Sequence, residues 1–97
     1  RARELAPTDA KIAYNMALFY NQKGDNKKTI ELLNEAIRLK PNYIDAYYAL
    51  GLFYSQLAKQ EPARSAEYRE LAKKNLEYIL KNIEPNHTAS KELLKSL

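Results

Sequence analysis

The chain has no cysteine, one histidine and two glycines in 97 residues. Without cysteine there is no disulfide framework and no thiolate nucleophile, which fits a reducing compartment such as the cytoplasm. His87 stands alone beside an expected helix start, where a solvated turn residue is the ordinary explanation. There is no H-E-x-x-H spacing for a metal and no glycine-rich loop for a phosphate. No apolar run nears the roughly 20 residues of a membrane span. No signal peptide is visible, and the chain opens mid-pattern. A localised excess of charge is missing too. Net charge is +4, and residues 1–58 and 59–97 each carry eight Lys/Arg and six Asp/Glu. A nucleic-acid binder gathers its positive charge on one face or stripe, so nucleic acid is not an expected partner. Lys73 and Lys74 form a small basic patch, but Glu70 and Glu77 interrupt it. The acidic residues lie beside Lys and Arg at helix-surface spacing, the pattern of a solvated face. Neither catalysis, nor a cofactor, nor a metal is expected.

What remains is enough for one small folded domain, with 45% hydrophobic residues and ten aromatics. Its main feature is an internal echo. Pro7 aligns with Pro41, Tyr14 with Tyr48, Phe19 with Phe53 and Tyr20 with Tyr54, each 34 residues apart. A fixed period of this size signals a repeat architecture.

No segment alternates with period two, so no strand is expected. The pattern predicts helices throughout. Arg1 to Ala6 reads as the tail of a preceding helix. Thr8 or Asp9 can cap a helix to about Lys23, and Gly24-Asp25-Asn26 makes a turn. A helix covers Lys27 to Lys40. Asn42 can cap the next, to about Lys59, and Pro62 starts another that reaches about Asn82. Asn86 can cap a last helix ending at Leu97. The helices holding Tyr14 and Tyr48 are apolar nearly all round and should be touched on all sides. The other two long helices are amphipathic, with Ile30, Leu33, Ala36 and Ile37 inward in one and Ala72, Leu76, Ile79 and Ile83 in the other. Glu70–Lys74 and Glu77–Lys81 have the spacing of surface ion pairs.

These landmarks resemble the tetratricopeptide repeat (TPR), whose pattern is W-x₂-L-G-x₂-Y, then A-x₃-F, then P. Repeat two fits the opening with Tyr47, Leu50, Gly51 and Tyr54. Repeat one offers Ala13, Met16, Ala17 and Tyr20, then Thr29, Leu33, Ala36 and Pro41. The resemblance implies an all-α, right-handed helical-hairpin stack of about two repeats plus terminal half-units. Its parts would be a preceding tail at 1–6, repeat one at 8–41, repeat two at 42–85 and a terminal or capping helix at 86–97. Repeat two departs from the period, because Pro85 lies 44 residues after Pro41. Matching Thr29 to Ala72 and Leu33 to Leu76 puts nine extra residues before that match and one near Ile83. The extra length is expected mainly in the helix that begins at Pro62.

The resemblance also implies a protein-interaction role, with a peptide or helix held on the concave face made by the first helix of each repeat. By position that face is Lys11, Tyr14, Asn15, Leu18, Asn21 and Gln22, then Asp45, Tyr48, Ala49, Leu52, Ser55 and Gln56. Tyr14 and Tyr48 suit rigid amphipathic contacts, and Asn15 suits a backbone amide. Equally, the two tyrosines could simply pack under the elongated hairpin or the terminal helix. The family's carboxylate clamp needs Lys, Arg and Asn where this chain has Tyr14, Leu18, Ala49, Ala89 and Leu93, so that mode is excluded. The alternatives are self-association through the exposed ends of a stack, as a homo-oligomer, and service as a soluble appendage of a larger enzyme, such as a membrane glycan-transferring one. The second rests on analogy of fold.

Overall fold

The computed structural model describes residues 7–97, with side chains from Asp9 onward. The expected helix over Arg1 to Ala6 lies outside the described residues. The elements are α1 (Pro7–Gln22), α2 (Asn26–Leu39), α3 (Ile44–Gln60), a 3-10 turn (Pro62–Arg64), α4 (Ser65–Tyr78), a π segment (Ile79–Ile83) and α5 (Thr88–Ser96). Among the described residues there is no strand. The chain forms two compact units, one through residue 46 and one from Tyr47 to Leu97.

In the first unit, α1 and α2 form a hairpin closed by three residues. Gly24 takes φ +82°, which a glycine adopts without steric cost. Around it, the Gly24 N–H donates to the Asn21 carbonyl at 3.1 Å and the Asp25 N–H to the Tyr20 carbonyl at 3.0 Å. This pair of bonds ends α1 by satisfying its last carbonyls. Asp25 then caps α2, accepting the Lys28 N–H at 3.1 Å. The hairpin interior is small on one side and large on the other: Ala10, Ala13 and Ala17 from α1, with Leu33, Ala36 and Leu39 from α2, all buried.

That choice of alanines overturns the expectation that α1 is covered all round. Ile12, Met16 and Phe19 are 56%, 44% and 53% exposed. They form one stripe at spacing four and three, turned away from the alanine stripe. The apolar residues of α1 are thus sorted by size, with the small ones inward. Two caps also differ from expectation. Thr8 and Asp9 lie inside the first turn of α1, because the helix already includes Pro7, whose fixed φ suits a first helical position. Asn42 does not cap α3, which starts at Ile44; it sits instead in the preceding turn.

In the second unit, the α3–α4 hairpin repeats this plan with longer arms. The register is visible in the burial: Thr29, Leu33 and Ala36 of α2 correspond to Ala72, Leu76 and Ile79, and all six are buried. The nine extra residues are not mainly in α4. Relative to repeat one, α3 is longer by four residues at its end, α4 by four at its start, and the turn between them by one. Lengthening both arms equally keeps them paired, so Tyr54 of α3 stacks on Tyr68 of α4 with centroids 6.1 Å apart.

The tenth residue is absorbed differently. In α2 the Lys40 N–H closes on the Ala36 carbonyl, four residues back, at 2.9 Å. At the corresponding place the Glu84 N–H closes on the Ile79 carbonyl, five residues back, at 2.7 Å. One inserted residue has become a π turn. Both helices then exit identically. Lys40 has φ −138° and ψ 92°, and Glu84 has φ −142° and ψ 97°, the extended form imposed by the proline that follows each. The surface ion pairs shift accordingly. Glu70 meets Lys73 at 3.9 Å rather than Lys74. No ion pair joins Glu77 to Lys81, which lies in the π segment and has left the α-helical spacing.

Candidate peptide-binding faces

In the first unit, Lys11, Asn15, Leu18 and Gln22 are exposed on one strip of α1, with exposed Asn21 beside it. Tyr14 is half-buried at its edge. Behind Tyr14 lies Tyr43, nearly buried, with ring centroids 5.5 Å apart and planes tilted by 48°. Lys40 places its ammonium 4.8 Å from the centre of the Tyr43 ring. Asp45, in the first turn of α3, is exposed. Burial, and then the Asp45 charge, push the phenols of Tyr14 and Tyr43 above the usual tyrosine range; Tyr14 adds to the shift of Tyr43.

In the second unit, Leu52 and Gln56 are exposed, and Tyr48 and Ala49 are half-buried. Ser55 is buried, its hydroxyl donating to the Leu52 carbonyl at 2.8 Å, so it presents nothing outward. Tyr48 packs edge-on against the ring of His87, 5.8 Å between centroids. His87, rather than the expected Asn86, caps α5. Its Nδ1 accepts the Ser90 N–H at 3.3 Å and lies 2.6 Å from the Ser90 Oγ. Asparagine is the better cap in isolation, but here it occupies the turn, where the His87 N–H reaches the Glu84 carbonyl at 3.2 Å. The imidazole is therefore a structural group, not a loose turn residue.

Tyr43 and His87 are equivalent residues. Each follows a Pro-Asn pair, and each holds the tyrosine of its own repeat's first helix. They were missed because they recur 44 residues apart, outside the 34-residue period. The signal that finds them is Pro-Asn-aromatic, written at 41–43 and again at 85–87.

Further aromatics join α3 to α4. Tyr47 stacks on Tyr78 at 4.6 Å, with Gly51 one turn on and Tyr54 on Tyr68 beyond it. Burial, then the hydrogen bond that Tyr47 donates to Tyr78 and the charge of that neighbour, push the Tyr47 phenol up to about 12. Among the described residues no His, Cys, Asp and Glu group could hold a metal ion. No described helix is long and apolar enough to cross a membrane.

Two helical hairpins with the same pre-proline exit and the same buried register define a helical-hairpin repeat protein. The sequence profile described as TPR repeat matches residues 17–57. The chain is 32% identical over 94 residues to interferon-induced protein with tetratricopeptide repeats 2 of Cricetulus griseus, covering 93% of this chain and 19% of that protein. It is 36% identical over 63 residues to an uncharacterized protein of Methanocaldococcus jannaschii, covering 65% of this chain and 73% of that one. It is also 34% identical over 50 residues to a UDP-N-acetylglucosamine–peptide N-acetylglucosaminyltransferase of Giardia intestinalis, covering 52% of this chain and 3% of that enzyme. The chain belongs to the tetratricopeptide repeat family. That repeat is a non-catalytic module that generally mediates protein–protein interaction. No solved structure matches the chain significantly.

Proposed function

We propose that the chain binds a peptide or helical segment of a protein partner along the exposed strips of its two first helices. The observation that carries this reading is the paired support of Tyr14 by Tyr43 and of Tyr48 by His87. A half-buried tyrosine braced from behind offers contact area at little entropic cost. Leu18 and Leu52, 40% and 36% exposed, stand one turn further along each helix and supply apolar contact. Ser55 takes no part, being buried. The test is selection from a displayed random-peptide library. Enriched peptides should lose about ten-fold in affinity to Leu18→Ser or Leu52→Ser, with the melting temperature unchanged. Failure to enrich any peptide above an unrelated helical protein refutes the reading.

A second reading, self-association, is favoured by the exposed Ile12, Met16 and Phe19 stripe. Sedimentation over a concentration series tests it, and a constant monomer mass eliminates it. The Giardia relative is by name an enzyme acting on a peptide. A repeat segment within such a protein would serve by holding the peptide, the same role as proposed here, while transfer chemistry would belong to other parts.

A further inference from the structure

Asp45 stands apart among the strip residues. Only Lys11 and Asp45 of the twelve are charged. Among the described residues, Asp45 makes no ion pair and no side-chain hydrogen bond, although it is exposed in the first turn of α3. It follows Tyr43 by two residues, and Tyr43 braces the half-buried ring of Tyr14. From this juxtaposition we infer that Asp45 and Tyr14 form a subsite for a basic side chain of the bound peptide, arginine above lysine. The inference rests on the peptide-binding reading above.

Three features support it. A carboxylate beside an aromatic face attracts a cation through both charge and ring quadrupole. A flat guanidinium can lie on a tyrosine ring while donating to a carboxylate, which an ammonium cannot do equally well. The neighbouring ring already takes a cation in this way, since Lys40 sits over Tyr43. That ammonium lies over the nearly buried ring, and Lys11 lies one turn before Tyr14 on α1. The second repeat lacks the arrangement. Where repeat one is followed by Tyr43 and Asp45, repeat two is followed by His87 and Ala89.

The experiment compares library selections on the wild-type chain, Asp45→Asn and Asp45→Lys. The wild type should enrich peptides with Arg or Lys fixed at one position. Changing that residue to Gln should weaken binding to the wild type about three- to ten-fold and leave binding to Asp45→Asn unchanged. Asp45→Lys should lose the basic position or replace it with an acidic one. Melting temperatures of the three proteins, which should agree, guard against a folding effect. Enriched peptides without a fixed basic position, or a Gln penalty that persists in Asp45→Asn, overturn the subsite and leave the peptide-binding reading intact. No enrichment on any of the three overturns both.

Discussion

At position 51 the two helices of the second hairpin come too close for a side chain. A Cβ there would stand 2.6 Å from the Leu76 Cδ2 and 2.8 Å from its Cγ. Leu76 is fully buried, so it has nowhere to retreat. Gly51→Ala gains up to about 1 kcal/mol in helix propensity. Overpacking costs about 1–3 kcal/mol, so a net loss on the order of 1 kcal/mol is expected. Thermal melts check this, and Leu76→Ala should make Gly51→Ala nearly harmless; additive losses would show that the two positions do not clash. Tyr47 makes a prediction about pH. The folded chain holds its phenolic proton up to about 12, whereas unfolded tyrosines titrate near about 10. Between these values the folded state binds more protons. The stability it contributes is complete below about pH 10 and is lost as pH rises toward about 12. The urea midpoint should therefore fall less steeply between neutral pH and about pH 11 in Tyr47→Phe than in the wild type. Equal slopes would mean that neither burial nor the Tyr78 contact holds the Tyr47 proton in the folded chain.

The π segment is the element that reconciles an inserted residue with a fixed exit. Removing Lys81, which is exposed, leaves Ile79 and Glu84 four residues apart, as Ala36 and Lys40 are in repeat one. The segment can then close as α-helix with Ala72, Leu76 and Ile79 undisturbed, so deleting Lys81 should change stability by less than about 1 kcal/mol. Deleting Lys74, equally exposed, should cost at least as much as a large core truncation, about 2–5 kcal/mol. It would turn Ala72 by one residue relative to Leu76 and Ile79. Chemical denaturation of the two deletions decides it, and equal losses would refute the bulge assignment. The sequence already carried part of this. The match of Leu33 to Leu76, and the single extra residue near Ile83, could be counted from the landmarks. What that residue did to the hydrogen bonding could not. Nor could the sharing of nine residues between α3 and α4, since any division leaves the flanking motifs in register. The braced tyrosines divide likewise. Tyr14 and Tyr48 stand out by the 34-residue period, but their supports do not, because the longer hairpin moves His87 out of that period. The cap fell to His87 rather than Asn86, and His87 also meets the Tyr48 ring, a contact that a cap preference read along the chain does not count.

Across the whole molecule, exposed large apolar side chains are unevenly placed among the described residues. Ile12, Met16, Leu18 and Phe19 lie on α1, against Leu52 on α3 and Tyr78 on α4. The exposed residues of α5 are all polar: Thr88, Lys91, Glu92, Lys95 and Ser96. This asymmetry governs how copies could associate. Head-to-tail growth needs two different complementary patches, and α5 does not offer α1 an apolar one. A two-fold pair needs a single patch that complements itself. The α1 stripe meets that condition, because it runs four residues before Met16 and three after it. An antiparallel crossing centred on Met16 sets Ile12 of each copy near Phe19 of the other. The stripe would bury roughly 250 Å² per copy, well short of the ~800 Å² typical of a stable interface. Association should therefore be weak and stop at two. Sedimentation equilibrium should show mass rising toward a dimer only at high concentration, on the order of 100 μM or above. Met16→Lys should hold the chain monomeric without lowering its melting temperature, because Met16 is exposed in the single chain. Mass that climbs past two copies, or a dimer unaffected by Met16→Lys, would place the contact on another face.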